Sequence, residues 1–257
     1  MYAILHELLR DHSDGIIFKA FGLWHIFYLF LTVAAVFCCV RFLKPHALRK
    51  AVDVAIAIAF GLYMLDFFMM PFSYGHIEIE KLPFHGCTAM CVMSFLGRKI
   101  PALHKWKDSF TLMGFISNLV YLLVPMGTQW ANVHPFSYRA VQTMLFHGSM
   151  AAYGFLALWS GDVKLQWKNW KRELLVISAM TLWAWIGNTL YTGSETWIPN
   201  WFFVVRDPFY IFPENISHYI MPPLVIVAFF AAEMVFYLVF NCRRIKNGIE
   251  KNEIVPV

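Results

Sequence analysis

Residues 17–41, IFKAFGLWHIFYLFLTVAAVFCCVR, decide the fold, because they are almost entirely apolar over a length that can cross a lipid bilayer. A membrane-spanning helix needs about 20 such residues. Six further apolar segments follow, separated by clusters of charge. The seven segments are 17–41, 50–73, 83–97, 108–126, 139–160, 173–192 and 217–241, of which the third is short. The sequence therefore predicts an all-α, polytopic membrane bundle of seven transmembrane helices.

The composition also indicates a membrane protein. Of the 257 residues, 59% are hydrophobic and 14% are charged, whereas soluble globular domains carry about 25% charged residues. The connections are short and the composition does not change along the chain, so we expect a single integral membrane domain over residues 1–257. The predicted location is the plasma membrane if the source is bacterial, with an endomembrane as the alternative.

The basic residues indicate the orientation of the bundle. Four lysines and arginines follow each of the first, third, fifth and seventh segments, and only five of the 21 lie on the alternate side. Since basic loops are retained in the cytoplasm, we expect the N-terminus outside and the C-terminus inside. The net charge of +5 is then a topology signal. Dispersal over four connections argues against nucleic-acid binding, which needs a shared basic face.

Two regions outside the segments carry predictions of their own. The N-terminal stretch to Asp14 lacks the features of a cleavable signal peptide, and we expect it to form a short amphipathic helix at the outer interface. The outer loop from Thr192 to Ser217 is rich in aromatic residues and contains Pro199, Pro208 and Pro213. It is interpreted either as a lid over the outer ends of the bundle or as an interfacial aromatic belt without a gating role.

Polar residues within the segments are concentrated in the predicted outer half. These residues are His25, Asp66, His85, Cys87, Asn118, His147, Asn188 and Tyr191. Ionisable groups within a span usually face the bundle interior or a water-filled cavity, so similar depth in several spans predicts a shared polar chamber that opens outward. The alternative is that each residue bonds locally and holds helices together. Asp53 and Glu233 are the principal polar residues of the inner half.

The stretch Leu82–Thr88 places a histidine and a cysteine at the mouth of the third segment. Pro83 suits a first helical turn, so His85 and Cys87 are expected within the first two turns, where free amides favour an anion and a thiolate is a better nucleophile than a thiol. Residues two apart project to different sides of a helix, so the base for Cys87 must come from elsewhere, and His147 is the candidate. The alternative is that Cys87 is a small hydrophobic residue.

Metal binding is the other interpretation of clustered His, Asp and Cys residues. Helical metal motifs such as H-E-x-x-H place two histidines four residues apart, and no such histidine pair occurs in these segments. Three ligands from separate spans remain an alternative. We expect no metal and no cofactor, and the seventh segment lacks the lysine that a retinal Schiff base would need.

Three motifs carry a resemblance to a known family. The stretch Leu82–Cys87 resembles the Leu-Pro-x-His-x-Cys motif of the YwaF-like integral membrane proteins, and Phe146–His147 with the apolar run to Gly161 resembles their second histidine helix. Residues 206–210 are similar to the Asp-Pro-Phe-Tyr loop of the transmembrane protein 164 acyltransferases, which belong to the same superfamily. The resemblance extends from about residue 50 to the C-terminus.

The resemblance implies a lipid-directed enzyme. Those acyltransferases are thought to move a fatty acyl chain between phospholipids through a cysteinyl acyl-enzyme, assisted by histidine. By this resemblance His85 and His147 correspond to the family histidines, but Phe84 stands where the nucleophilic cysteine would be. Cys87 is one replacement. Thr88 is another, since the related androgen-induced hydrolases use Thr and His.

The sequence thus favours an enzyme of acyl transfer or acyl hydrolysis. Cys87 or Thr88 is the expected nucleophile, His147 the general base, and His85 the residue that orients the base or stabilises an oxyanion. The predicted substrate-binding residues are His25, Asp66, Asn118, Asn188, Tyr191 and Asp207. The predicted partners are membrane lipids and a lipid or amphipathic substrate, with no nucleic acid and no particular oligomeric state implied. The alternatives are a transporter or receptor that binds a small polar ligand in the same chamber, and a non-catalytic scaffold.

Overall fold

The computed structural model describes residues 15–73, 79–125, 127–128, 131–191, 200–208 and 210–246, with side chains through Asn241 in the last helix. The expected N-terminal helix and Pro199 of the outer loop lie outside these residues. Over the described ranges the chain is all-α and contains no β-strand. Its helices are α1 (Leu23–Phe42), α2 (Pro45–Ser73), α3 (Gly86–Lys99), α4 (Lys107–Leu123), α5 (Tyr138–Ser160), α6 (Trp170–Leu190) and α7 (Glu214–Lys246).

The helices coincide in order and place with the seven apolar segments, so the all-α prediction is confirmed. Four stretches are long and apolar enough to cross a membrane by length and composition: Leu23–Phe42, Pro45–Ser73, Trp167–Leu190 and Glu214–Asn241. The third helix is short as expected, with 14 residues, and α4 has 17. The chain is therefore an integral membrane protein with at least these four candidate spans among the described residues.

The chain divides into two compact units, Met1–Asp162 and Val163–Val257. The first unit contains α1 to α5, and the second contains α6 and α7.

In the first unit, α5 is the central helix and packs against α1, α2 and α4. Its burial is extensive, with Met150, Tyr153 and Ala157 fully enclosed. The approach of α4 to α5 is close at Gly154, where an added Cβ would overlap the side chain of Phe115. A glycine at this position is what allows the two backbones to approach so closely.

The start of α3 differs from the expectation drawn from Pro83. The helix begins at Gly86, with His85 as an extended N-cap residue (φ −81°, ψ 145°). The prediction that Pro83 occupies the first helical turn is wrong, because the backbone N–H of Phe84 donates to the carbonyl of Leu82, 2.7 Å away, and holds a tight turn there. Cys87 consequently lies in the first turn of α3.

A cluster of ion pairs joins four elements at the predicted inner end of the first unit. The guanidinium of Arg98 on α3 donates to Asp53 on α2 at 2.6 Å and to Asp162 after α5 at 2.6 Å. The Lys107 ammonium at the start of α4 donates to the Asp162 backbone carbonyl at 2.9 Å. Burial would raise the pKa of the Asp162 carboxyl, but the hydrogen bonds and charges of Arg98 and Lys107 hold that pKa below its ordinary value. Beside the cluster is a cavity of about 280 Å³ that His104 also lines.

Candidate functional site

The first unit holds a buried histidine in a fixed orientation. His147 on α5 is 4% exposed, and its Nδ1 lies 2.7 Å from Oδ1 of Asn118 on α4. The Asn118 amide nitrogen donates in turn to the carbonyl of Gly114 at 2.7 Å, which leaves Oδ1 as the acceptor facing the ring. His147 Nδ1 therefore carries the proton, and in the neutral ring Nε2 is the nitrogen with the free lone pair. This is the form that a general base requires.

Aromatic contacts hold the same ring in place. Tyr121, one turn after Asn118, stacks on His147 with ring centroids 3.7 Å apart and an angle of 9° between the planes. Phe146 makes an edge contact with the ring at 4.9 Å. The Tyr121 hydroxyl is itself fixed by Thr128 Oγ1, 2.8 Å away. The imidazole is thus immobilised on α4 and α5, which is the condition for an oriented catalytic group.

The N-terminus of α3 carries Cys87 in its first helical turn. The backbone N–H groups of Cys87 and Thr88 lie near the Cys87 sulfur. His85 and Cys87 are densely surrounded by protein and yet keep accessible surface, in contrast to buried Phe84 and Gly86 beside them. Both side chains are therefore partly accessible.

Thr88 is engaged differently from Cys87. Its side chain is 8% exposed, and its hydroxyl donates to the backbone carbonyl of His85 at 3.2 Å. The hydroxyl proton of Thr88 is therefore engaged by the backbone at the start of its own helix. As a nucleophile Thr88 would first have to release this contact.

Electrostatic interactions connect the two parts of the site. His85 and Lys81 both lie within electrostatic range of His147. Cys87 lies within the same kind of range of Tyr121, whose ring stacks on His147. Cys87 also acts on Tyr63 of α2. The structure therefore places His85 within electrostatic range of His147, and it places Cys87 within range of the tyrosine that stacks on that ring.

Asp66 belongs to the α2 side of this region. It is 1% exposed, and its carboxylate forms an ion pair with the Lys81 ammonium at 3.1 Å. The Lys81 carbonyl accepts a hydrogen bond from the Tyr63 hydroxyl at 3.1 Å. These contacts fix the turn that precedes α3, so Asp66 positions the segment that carries His85 and Cys87.

His25 lies elsewhere in the first unit and bonds to the backbone. Its Nε2 donates to the carbonyl of Leu122 at 2.7 Å, and its Nδ1 accepts from the N–H of Phe21 at 2.8 Å. The Leu122 carbonyl is one of the last of α4 and has no partner within the helix. Both ring nitrogens are thereby occupied, and His25 joins α1 to the end of α4. Its predicted role in substrate binding stays a prediction.

The three remaining predicted residues lie in the second unit and hold the outer loop. Asn188 accepts from the N–H of Trp201 at 2.9 Å and donates to its carbonyl at 3.0 Å, while Tyr191 makes an edge contact with the Trp201 ring at 5.6 Å. The Asp207 carboxylate accepts from the N–H groups of Ile211 and Phe212. Trp201 and Phe202 are buried within this unit. The lid remains a prediction, because it concerns the position of this loop over the whole bundle.

Sequence reasoning did not select Tyr121, Lys81 and Tyr63. Tyr121 lies three residues after Asn118, on the neighbouring turn, so helical spacing offered a signal for it. In the sequence, Lys81 is only one of the basic residues that indicate the orientation of the chain. Among the described residues, no group of three or more His, Cys, Asp or Glu side chains is arranged to hold a metal ion.

Comparison with known proteins gives one match. The profile of the TMEM164 family covers residues 20–241 of the chain. That range includes all three motifs on which the resemblance rests, and the YwaF-like family of the same superfamily is consistent with it. No curated protein and no solved structure matches the chain.

Proposed function

Because the chain belongs to the TMEM164 family, we propose that it is a membrane-embedded enzyme that transfers or hydrolyses the fatty acyl group of a lipid. The observation that carries the proposal is the His147 ring, whose Nδ1 proton is fixed by Asn118 and whose Nε2 is left as an acceptor. A base, an orienting partner and a nearby nucleophile form the arrangement that covalent acyl transfer uses.

The proposed topology has seven spans, with the N-terminus outside and the C-terminus in the cytoplasm. Seven helices in the described residues and the alternating distribution of basic residues support it. In this orientation the N-terminus of α3 and the His147 ring lie in the outer half of the membrane. The substrate then enters from the outer leaflet.

The nucleophile in this proposal is Cys87. In a buried site a thiol ionises only when its proton moves to a base, and His147 Nε2 takes it directly or through one water. The sulfur attacks the ester carbonyl, and the tetrahedral oxyanion is stabilised by first-turn amides of α3 and by His85. Collapse forms the thioester, and the departing alkoxide takes the proton from His147.

The second half of the reaction regenerates the thiol. An acceptor hydroxyl gives its proton to His147 Nε2 and attacks the thioester carbonyl, and the sulfur leaves and recovers that proton. A lipid alcohol as acceptor gives acyl transfer, whereas water gives hydrolysis. The proposal requires Nε2 and the Cys87 sulfur to reach about 3 Å of each other, directly or across a water, in the reacting complex.

Trapping the acyl-enzyme tests this proposal. Purified protein is reconstituted in phosphatidylcholine vesicles that contain a radiolabelled acyl chain, and label bound to the protein is measured before and after hydroxylamine, which cleaves thioesters. We expect wild type and Thr88→Val to carry hydroxylamine-sensitive label, and Cys87→Ala and His147→Ala to lack it.

The chain supplies matched controls for this experiment. Cys91 lies one turn after Cys87 on α3 and is fully buried, and Cys38 is an exposed free thiol of α1. Cys91→Ala and Cys38→Ala should label like wild type. Label that survives both Cys87→Ala and Thr88→Val would refute a covalent mechanism at this helix.

The structure offers less support to the alternatives. A transporter needs a path past Asp53, and that carboxylate is bound by Arg98 in the inner cluster. A scaffold predicts polar groups that pair off locally, which describes His25, Asn188 and Asp207. It leaves unexplained why the His147 ring is held by Asn118 and Tyr121 with Nε2 left as an acceptor.

A further inference from the structure

The second unit contains two buried carboxylates that the proposed chemistry does not use. Glu173 in the first turn of α6 is 1% exposed, and Glu233 near the middle of α7 is 0% exposed. Both lie within the candidate spans Trp167–Leu190 and Glu214–Asn241. Acidic groups inside a span are costly unless something compensates their charge.

The surroundings of the two carboxylates differ. Glu173 Oε1 accepts a hydrogen bond from the Tyr237 hydroxyl at 2.7 Å, and its place in the first turn puts it near the positive end of the helix dipole. Both features favour the charged form of Glu173. Among the described residues, neither oxygen of Glu233 has a hydrogen-bond partner.

Glu173 lies within electrostatic range of Glu233. Tyr237 lies one turn after Glu233 on the same face of α7, and its hydroxyl donates its hydrogen bond to Glu173. The Tyr237 ring contacts that of Trp167 at 5.4 Å. The titratable groups that face Glu233 from the described parts of the two helices are therefore Glu173 and Tyr237. Neither supplies positive charge to it.

We propose that Glu173 and Glu233 form an intramembrane proton-binding site, in which Glu233 holds a proton while Glu173 remains a carboxylate. Unequal surroundings of this kind separate the proton affinities of two neighbouring acids. The proton removes the negative charge that would otherwise repel Glu173 across the α6–α7 contact. Packing of these two helices is consequently linked to pH.

A metal cation is the competing occupant and is disfavoured by the donor set. The described carboxylates and the Tyr237 oxygen provide few ligands, whereas calcium takes six to eight oxygens. The neighbouring helical carbonyls are used within their own helices. A proton needs a single oxygen and no additional ligands.

Infrared spectroscopy of the full-length protein in lipid nanodiscs tests the proposal directly. At neutral pH we expect wild type to show the carbonyl stretch of a protonated carboxyl group, and Glu233→Gln to lack it. Glu214→Gln is the matched control, since Glu214 lies at the exposed start of the same helix and should leave the band unchanged. An identical band in Glu233→Gln would overturn the assignment.

Equilibrium unfolding supplies a second measurement. Because the folded protein binds one proton more than the unfolded chain at neutral pH, the unfolding constant of wild type should rise about tenfold for each pH unit. Glu233→Gln, a neutral isostere, should fold and lose that slope relative to Glu214→Gln. Equal slopes in the two variants would overturn the proposal. Stabilisation of wild type but not Glu233→Gln by added sodium, potassium or calcium would also overturn it, in favour of a cation site.

Discussion

Replacement of Asn118 by alanine tests whether this residue orients the base. The substitution removes the acceptor 2.7 Å from His147 Nδ1 and leaves a buried N–H without a partner in a ring that is 4% exposed. A stranded donor of this kind costs about 1–3 kcal/mol of folding free energy. Release of the ring also permits the other tautomer, in which Nε2 carries the proton and cannot act as a base.

The expected loss of activity is larger than the loss of stability. Misplacement of a reacting group by about 1 Å lowers rates by roughly 10²-fold, so acyl transfer per folded molecule should fall about 10²-fold in Asn118→Ala. Asn118→Asp keeps an oxygen acceptor for Nδ1–H, and we expect it to recover most of the rate. The assay is transfer of a radiolabelled acyl chain in vesicles, normalised to folded protein.

Ser117→Ala is the matched control for Asn118→Ala. Ser117 is the preceding residue on α4, and its hydroxyl donates only to the carbonyl of Met113 in its own helix, at 2.8 Å. Loss of that bond should cost about 0.5–1.5 kcal/mol and leave the transfer rate unchanged. If Asn118→Ala keeps the wild-type rate, or if Asn118→Asp is as slow as Asn118→Ala, the orienting role is refuted.

Three further predictions concern stability. Gly154→Ala should cost about 1–3 kcal/mol of unfolding free energy by overpacking against Phe115. Gly61→Ala, with open space around the added Cβ, should be neutral or stabilising in the same unfolding assay. Equal effects of the two substitutions would contradict the close approach of α4 to α5. The pKa of the Asp162 carboxyl is lowered in the folded state, so its stabilisation of the fold is present above the ordinary carboxyl pKa of about 3.9 and is lost as pH falls below that value. Asp162→Asn should therefore show a smaller acid-induced decrease in the free energy of unfolding than wild type. An equal decrease in the two proteins would refute the linkage. His25→Ala should lower the free energy of unfolding by about 1–3 kcal/mol for each backbone group left without its partner. The rate of acyl transfer per folded molecule should stay unaltered. A slower rate would instead support a role of His25 in substrate binding.

The sequence predicted the helices well because length and charge determine them. The apolar runs between basic clusters coincide with all seven helices. The helix ends in the structure differ from the ends of the apolar segments by a few residues. The start of α3 was misjudged because the favourable position of proline in a first turn says nothing of the local bond between Phe84 and Leu82. Such a turn depends on contacts that residue preferences do not encode.

The sequence indicates candidate residues for the site but not the partners to which they bond. His147 and Asn118 were placed at similar depth from their positions in the segments, yet their hydrogen bond depends on the rotation of α4 and α5 about their axes. In the sequence His25 and His147 look alike, because each is a histidine within an apolar segment. The three-dimensional structure is needed to see that backbone groups occupy both nitrogens of His25, whereas Nδ1 of His147 bonds to an amide side chain.

The shortness of α3 affects which acceptor the proposed enzyme uses. Fourteen residues rise about 21 Å, roughly 9 Å less than the hydrocarbon thickness of about 30 Å. In the proposed topology the basic end of α3 lies at the inner boundary, and His85 and Cys87 would then lie below the outer surface, among the acyl chains. Water is scarce at that depth, whereas a lipid alcohol arrives tethered to its own acyl chains. Burial depth would therefore suppress hydrolysis of the thioester and favour transfer from one lipid to another.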